Sequence, residues 1–424
     1  MCLKIKSLFL VPGFVLLSCG DDTPNELPEP VATSLITIAA TEHFSGDNLE
    51  HWVVVSDKKG EVLASAELTN DTTLTTTQSV EGWVNITLVA ANQAFDQYQL
   101  TTYTQVPVDQ TWRIPDPTRV GYEGLTSKEA TIKIEDAPQF SGRNFFNWSM
   151  SNAHGLVDTG GRSGGGKVDV NVRVHEQAPQ DMLLVLHDGT FTPRYKWFAH
   201  DLFTGNNPVL DFEQDFAPID QVVELSFDQV QHMYMELTAF QEETLSSYQG
   251  LDGYVLAQIL LQEPESPSLF KVGYVEGFDL YRTYWSATLA DKNYVYEKFG
   301  GPPPSLSIEL FQGDFSVMNS AYATFQFTAT EEFDVLVGAW SNDQDVTRWS
   351  IHYPRDNAEN LVLQTLPAAF GTRYPTLTLS GLSYKGCVGK NLLDRDGYPA
   401  FLDYVHHNEK KNQLMELYSV SNLP

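Results

Sequence analysis

A nine-residue pattern that returns at a fixed distance constrains this chain more than any other feature. Phe44-Ser45-Gly46-Asp47-Asn48, closed by Trp52, recurs as Phe140-Ser141-Gly142-Arg143-Asn144 with Trp148, 96 residues on at every matching position. The same offset carries Ile36 onto Ile132 and Ile38 onto Ile134, and the turn ending at Gly60 has its counterpart at Gly155, one residue nearer. Runs such as Trp52-Val53-Val54-Val55 and Val84–Val89 are separated by clusters of Gly, Asn and Asp. β-Branched and aromatic side chains suit a pleated, half-buried surface, and the small polar residues supply turns. Self-similarity at a fixed period marks repeated domains. The chain is therefore expected to be all-β, with at least two copies of one sandwich. The repeated Trp is expected between the sheets, with the Ser-Gly pair as the turn before its strand.

A period of 96 residues is close to the roughly 100 residues of an immunoglobulin-like sandwich. Tandem immunoglobulin-like β-sandwich domains are the expected architecture. The first copy spans 32–117 and the second 118–217, with the prolines of Val106–Thr118 at their junction. Beyond it the pattern fades. Ala323-Thr324 and Phe333 lie 193 residues after Ala130-Thr131 and Phe140, close to two periods. This divides the remainder into a diverged β domain over 218–304 and a fourth over 305–424, parted at Gly300–Pro304. One larger β domain over 219–424 is the alternative. Partial helical spacing in Pro399–Leu417 predicts a short helix near the end.

The first 18 residues read as a leader. Lys4 and Lys6 precede a ten-residue, mainly apolar run, Leu8–Leu17, and then Ser18-Cys19-Gly20. That run is half the roughly 20 residues that cross a bilayer, so it reads as a secretory signal and not as a span. Leu16-Leu17-Ser18-Cys19 resembles the lipobox of bacterial lipoproteins, although Leu17 departs mildly from its second position. The resemblance implies a signal peptide over 1–18, cleavage before Cys19, and acyl chains on Cys19 as the membrane anchor. Acylation at about 0.8 kcal/mol per buried methylene, over several chains, makes such anchoring long-lived. Residues 19–31 then form a Pro-rich acidic tether. Acids directly after the cysteine resemble the export signal of Bacteroidetes surface lipoproteins, which implies the outer membrane and its exterior face.

Charge narrows the partners. The chain holds 26 Lys+Arg against 55 Asp+Glu, a formal −29, and losing Lys4 and Lys6 with the leader makes it more negative still. Such a surface repels phosphate backbones, so nucleic acid is not an expected partner. Of the three cysteines, Cys2 leaves with the leader and Cys19 is committed to lipid. Cys387 stands alone and is expected to be a small buried hydrophobe.

Few motifs promise catalysis. Gly161–Val168, GRSGGGKV, approaches a phosphate-binding loop, but Val168 replaces the required hydroxyl residue and a strand pattern follows. It is expected to be a flexible loop, its counterpart in the first copy being a hairpin connection. Asp394, Asp396, Gly397 and Asp403 fall at calcium-loop spacing, yet Leu392 occupies the first ligand position. Asp343 and Asp345, in the polar loop after Trp340, are expected to form a solvated turn, with calcium binding the alternative; no cofactor is expected. There is no G-x-S-x-G and no H-E-x-x-H, and the adjacent His406 and His407 diverge on either regular element. An exported hydrolase is the third-ranked reading.

The aromatics point to binding. Tyr281, Tyr284, Trp285, Tyr294, Tyr296 and Phe299 crowd one stretch, and Trp340 and Trp349 bracket Ser341–Arg348. Sugar rings stack their C–H faces on exposed aromatics while Asp, Asn and Gln take the hydroxyl protons. Tyr284, Trp285, Trp340, Trp349, Asp343 and Asp345 are the candidate ligand-binding residues, with core packing the competing role for the rings. The whole resembles Bacteroidetes surface lipoproteins that string sandwich domains behind a lipidated cysteine. The implied function is non-catalytic glycan binding or adhesion by the C-terminal half, with the first two domains as spacers. The alternative is a subunit of a surface assembly whose partner is a protein.

Overall fold

The structure, a computed structural model, describes residues 32–40, 49–68, 72–80, 82–114, 127–138, 146–152, 155–162, 166–175, 181–187, 192–199, 207–227, 230–241, 253–262, 268–289, 292–303, 306–307, 313–330, 332–342, 346–355, 365–406 and 415–422. Residues 1–31, with Cys19 and the expected signal peptide and tether, and Asp343 and Asp345 lie outside the described residues. The fold is all-β and of sandwich type, as expected.

The first unit contains β1 (Thr33–Ala40), β2 (Leu49–Ser56), β3 (Val62–Glu67), β4 (Thr72–Thr76), β5 (Trp83–Asn92), β6 (Gln97–Pro107) and β7 (Gln110–Ile114). Its sheets run β3-β2-β5-β6 and β4-β1-β7, and β1 pairs β7 in parallel. Within the larger sheet β2 lies between β3 and β5.

The repeat preserves this order. The second unit has β8 (Ser127–Ala137), β9 (Phe146–Asn152), β10 (Gly155–Arg162), β11 (Gly166–His175), β12 (Met182–His187), β13 (Arg194–Phe198), β14 (Val209–Asp211) and β15 (Ala217–Pro218). Its sheets are β10-β9-β12-β13, with β15 on the edge of β13, and β11-β8-β14, again with a parallel β8–β14 pair. GRSGGGKV bridges β10 and β11, where Lys167 pairs with Glu135 at 2.7 Å.

A third unit, diverged beyond recognition in sequence, repeats the plan. It holds β16 (Gln221–Phe227), β17 (Val230–Phe240), β18 (Tyr254–Gln262), β19 (Ser268–Tyr274), β20 (Leu280–Leu289), β21 (Lys292–Gly300) and β22 (Leu306–Ser307), ordered β18-β17-β20-β21 and β19-β16-β22. Because β22 closes the parallel pair with β16, this unit runs past the expected boundary at 304. The last segment keeps only the four-stranded half. There β25 (Val335–Ser341), β26 (Thr347–Pro354), β27 (Ser383–Leu392) and β28 (Met415–Asn422) run β26-β25-β27-β28. A hairpin of β23 (Phe315–Asn319) and β24 (Gln326–Ala329), and the helices α1 (Ala368–Arg373) and α2 (Gly397–His406), accompany it. The expected helix thus ends earlier than Leu417, and Met415, assigned to it from spacing, starts a strand.

The expected boundaries do not fall between separate sheets. β21 pairs β28 antiparallel and β26 pairs β6 in parallel, so the first, third and fourth segments merge into one twelve-stranded sheet. Merging removes unpaired edges, which otherwise invite association with other chains. It also buries both faces of strands such as β2, where Val53 and Val55 face one core and Val54 the other. This is why that run reads as continuous valine. On one face lie β4-β1-β7 and α2, whose Phe401 and Leu402 join Val335, Val337 and Met415. On the other lie the third unit's small sheet, the β23–β24 hairpin through Phe315 and Phe325, and α1 through Phe370. The second unit docks through β12, whose Leu183 and Val185 enter that second core, and Val255 donates its backbone N–H to the Ser151 hydroxyl at 2.9 Å.

The repeated Trp does not occupy equivalent places. Trp148 packs on the core of its own sandwich, opposite Leu186. Trp52 pairs with Val89 and points out of its sandwich, against Phe370 at a centroid distance of 5.1 Å. The strands differ by one residue in register, and a slip of one sends every side chain to the other face.

Candidate functional site

The sequence-derived candidates separate into core and surface. Trp285, Trp340 and Trp349 are only 3 %, 2 % and 2 % exposed. Their rings cannot serve as a platform for a sugar, because tertiary packing has claimed them. Trp285 stacks on Tyr296 at 5.7 Å within the third unit. Trp340 and Trp349 face each other across β25 and β26. Each indole N–H is satisfied inside: Trp340 donates to the Ser320 carbonyl at 2.8 Å and Trp349 to the Thr102 hydroxyl at 2.8 Å. Cys387 is buried as expected, its thiol pushed up to about 12 by burial.

Tyr284 sits half-buried on the outer face of the third unit, with the Arg282 guanidinium 5.1 Å from its ring centre. That guanidinium donates to Glu297 at 2.7 Å and Glu236 at 2.8 Å, while Tyr234 donates to Glu236 at 2.6 Å. Burial first, then the Glu236 hydrogen bond, pushes the Tyr234 hydroxyl up to about 12. Both carboxylates are committed to one cation, so this cluster closes on itself. Asp394 and Asp403 likewise both face Arg395. Among the described residues no three His, Cys, Asp or Glu side chains converge as a metal site would require.

Among the described residues a recess lies where the first and last segments join. A hollow of about 450 Å³ opens on β6, β25, β26 and β27. Gln99, Ala339, Ser341, Arg348, Ser350 and Lys385 border it. Arg348 is opposite Ser341 on one side and Gln99 on the other, and Ser350 is opposite Ala339. Successive strand residues point to opposite faces. These side chains therefore share one face, while Leu100, Trp340 and Trp349 contribute backbone to the floor and turn their side chains to the buried side. Lys385 is the extra residue where the β25–β27 register shifts between Ala339 and Trp340. Bulges re-aim side chains in this way.

Among the described residues the cover of this face stops short of the hollow. Farther along the same face, Tyr103 stacks on His352 at 4.6 Å, and the two are roofed by Trp112, Phe401 and His406 of β7 and α2. Burial, then nearby Lys390, holds the His352 imidazole well below its usual range, so it is neutral there. At Ser350 and Arg348 the roof ends, and the small Ala339 and Ser350 leave space between longer neighbours. The Ser341 hydroxyl, on a residue 3 % exposed, has no hydrogen-bond partner among the described residues. Sequence reasoning reached the Trp pair but missed the chemistry beside it. The signal was the polar alternation of Arg348 and Ser350 with Trp349 and Ile351.

No protein-family model matches the chain, and no curated protein matches it in sequence.

Proposed function

We propose that this protein is a lipid-anchored, non-catalytic protein of the outer-membrane surface that binds extracellular glycan in the hollow between β6, β25, β26 and β27. The observation that carries this reading is a recess of about 450 Å³ lined by amide, hydroxyl and cationic groups on paired strands. Ligand recesses span about 300–1,000 Å³, and polar groups fixed on a rigid scaffold set orientation. Sugar hydroxyls both donate and accept, which matches Gln99, Ser341 and Ser350. Recognition is by hydrogen bonds and not by ring stacking. The lipobox-like Leu16–Cys19 and the acidic tether support the location, with the acyl chains on Cys19 as membrane contact.

The full chain, purified in detergent, is applied to a broad glycan array beside Ala339→Phe, which fills the hollow. Glycan retention lost in the variant, with circular dichroism unchanged, is the expected result. Retention of no glycan, or equal retention by the variant, overturns the reading. In cells, Cys19→Ser shifts the protein from the membrane fraction to the soluble one; persistence at the membrane refutes the anchor.

A protein partner is the second reading, favoured by β3, the outermost strand of the large sheet. An open edge can accept a strand from another chain. Sedimentation of the purified chain as an oligomer would favour it.

A further inference from the structure

We propose that the junction of the second and third units is a docking surface for an extended, basic segment of a partner protein, with an arginine laid on Trp197 beside Asp220 and Glu276. This surface is separate from the hollow and does not depend on the glycan reading. Among the described residues Trp197 is the most exposed tryptophan, at 38 %. Its ring is held in place by others: Tyr254 meets it edge-on at 5.1 Å and Phe278 stacks on it at 6.0 Å. The turn carrying Phe278 is itself fixed. Tyr281 donates its hydroxyl to the Val275 carbonyl at 2.6 Å, and Asp279 donates its N–H to the Phe240 carbonyl at 2.9 Å.

Carboxylates border these rings. Tyr195, two residues before Trp197 and so on the same face of β13, donates to Asp220 at 3.3 Å. Asp220 also accepts the Glu276 N–H at 2.8 Å. Burial first, then the charge and hydrogen bond of Asp220 and the charge of Glu276, push the Tyr195 hydroxyl up. Both acids are exposed, and neither pairs with a Lys or Arg among the described residues.

The fold shows what such a group accepts. Arg373 lies 5.1 Å from the Trp52 ring centre and pairs with Glu50 and Glu67. Arg282 lies 5.1 Å from the Tyr284 ring centre and pairs with Glu236 and Glu297. A ring beside two carboxylates is thus twice completed by an arginine, whose flat guanidinium both stacks and forks. At Trp197 the ring and the acids recur, and no described Lys or Arg lies over them. The backbone there suits a strand. β15 pairs only Arg194 and Tyr195, so from Lys196 to Phe198 the outer edge of β13 has no strand partner among the described residues. A strand added on that edge would bring the side chain opposite Trp197 within about 5.5 Å of it. With 26 Lys+Arg against 55 Asp+Glu, the chain also favours a basic partner by charge.

The test uses the full chain in detergent and a synthetic peptide alternating Arg with Thr. Its controls are the same peptide with citrulline for Arg, and one with N-methyl groups on alternate backbone amides. Affinity is read by calorimetry for the wild type, Trp197→Leu, Glu276→Gln and Phe95→Ser, the last an exposed ring on the β5–β6 turn. Both control peptides are expected to bind about tenfold more weakly than the Arg peptide. Trp197→Leu should weaken the Arg peptide about fivefold and Glu276→Gln about threefold, with Phe95→Ser unchanged. No binding of the Arg peptide, equal binding of it and either control, or binding unaffected by both Trp197→Leu and Glu276→Gln overturns the proposal. Loss of a neutral polysaccharide from the glycan array in Trp197→Leu would make the ring a sugar platform and overturn it as well.

Discussion

The joint between β6 and β26 turns on one hydroxyl, and replacing it makes a quantitative test of the merged sheet. Thr102 Oγ1 accepts the Trp349 indole N–H at 2.8 Å and shares a hydrogen bond with Thr87 Oγ1 at 2.6 Å, all fully buried. Thr102→Val keeps nearly the same volume, so no cavity opens. It leaves the Trp349 N–H without an acceptor, at a cost of about 1–3 kcal/mol, and removes a second bond with a net value of about 0.5–1.5 kcal/mol. The expected loss is about 3 kcal/mol. Thr87→Val serves as the control: it breaks the second bond but leaves the Trp349 N–H its acceptor, and costs about 1 kcal/mol. Urea unfolding, followed by tryptophan fluorescence and by circular dichroism, reads both as shifts in midpoint at constant slope. A Thr102→Val loss below 1 kcal/mol, or one no larger than that of Thr87→Val, would refute the reasoning. So would separate transitions for the first and last segments, since strands of one sheet are expected to melt together.

Three further outcomes follow from the packing. A Cβ on Gly338 would lie 2.3 Å from the Trp340 ring, which its bond to Ser320 pins in place; Gly338→Ala is expected to cost about 1–3 kcal/mol in the same assay. His187 is buried and its imidazole is held down to about 4 by burial alone, below the roughly 6.5 of the unfolded chain. Its contribution to stability is complete above about pH 6.5 and is lost as pH falls to about 4, amounting to about 3 kcal/mol. His187→Leu should lose that much less than the wild type between pH 7 and pH 4, and equal losses would contradict it. With Cys2 and Cys19 changed to Ser, a thiol reagent at pH 8 should label Cys387 only after denaturant is added, given its raised pKa.

Local pattern carried the fold as far as local pattern can. The alternation at Ile36–Ile38 and Ile132–Ile134 places those residues in the cores of their sandwiches, where they are 0 % exposed. The third unit was harder, because its closing strand β22 spans two residues and is defined by pairing with Leu225 and Ser226, far away in sequence. Trp52 and Trp148 share a motif yet face opposite ways, and only cross-strand partners reveal the slip. The candidate site failed for a related reason. Aromatic density at Trp285, Trp340 and Trp349 was visible, but which sheet face is roofed depends on where α1, α2 and the β23–β24 hairpin dock. Those are tertiary choices, and they turned the rings into core and left Arg348, Ser350 and Lys385 in the open.

The parallel pairing of β6 with β26 also sets a schedule. Trp349 meets Leu100 across some 250 positions of chain, as the separation of 247 between Trp349 and its Thr102 acceptor indicates. Contacts this distant in sequence form late, because the intervening loop must close before anything is gained. The first sandwich can fold as soon as its seven strands emerge, yet the floor of the hollow waits for the last segment to arrive. A chain cut short before Thr347 would present a finished-looking sandwich with no recess at all. Any ligand that the hollow takes would thus be retained only by a chain made through its last strands.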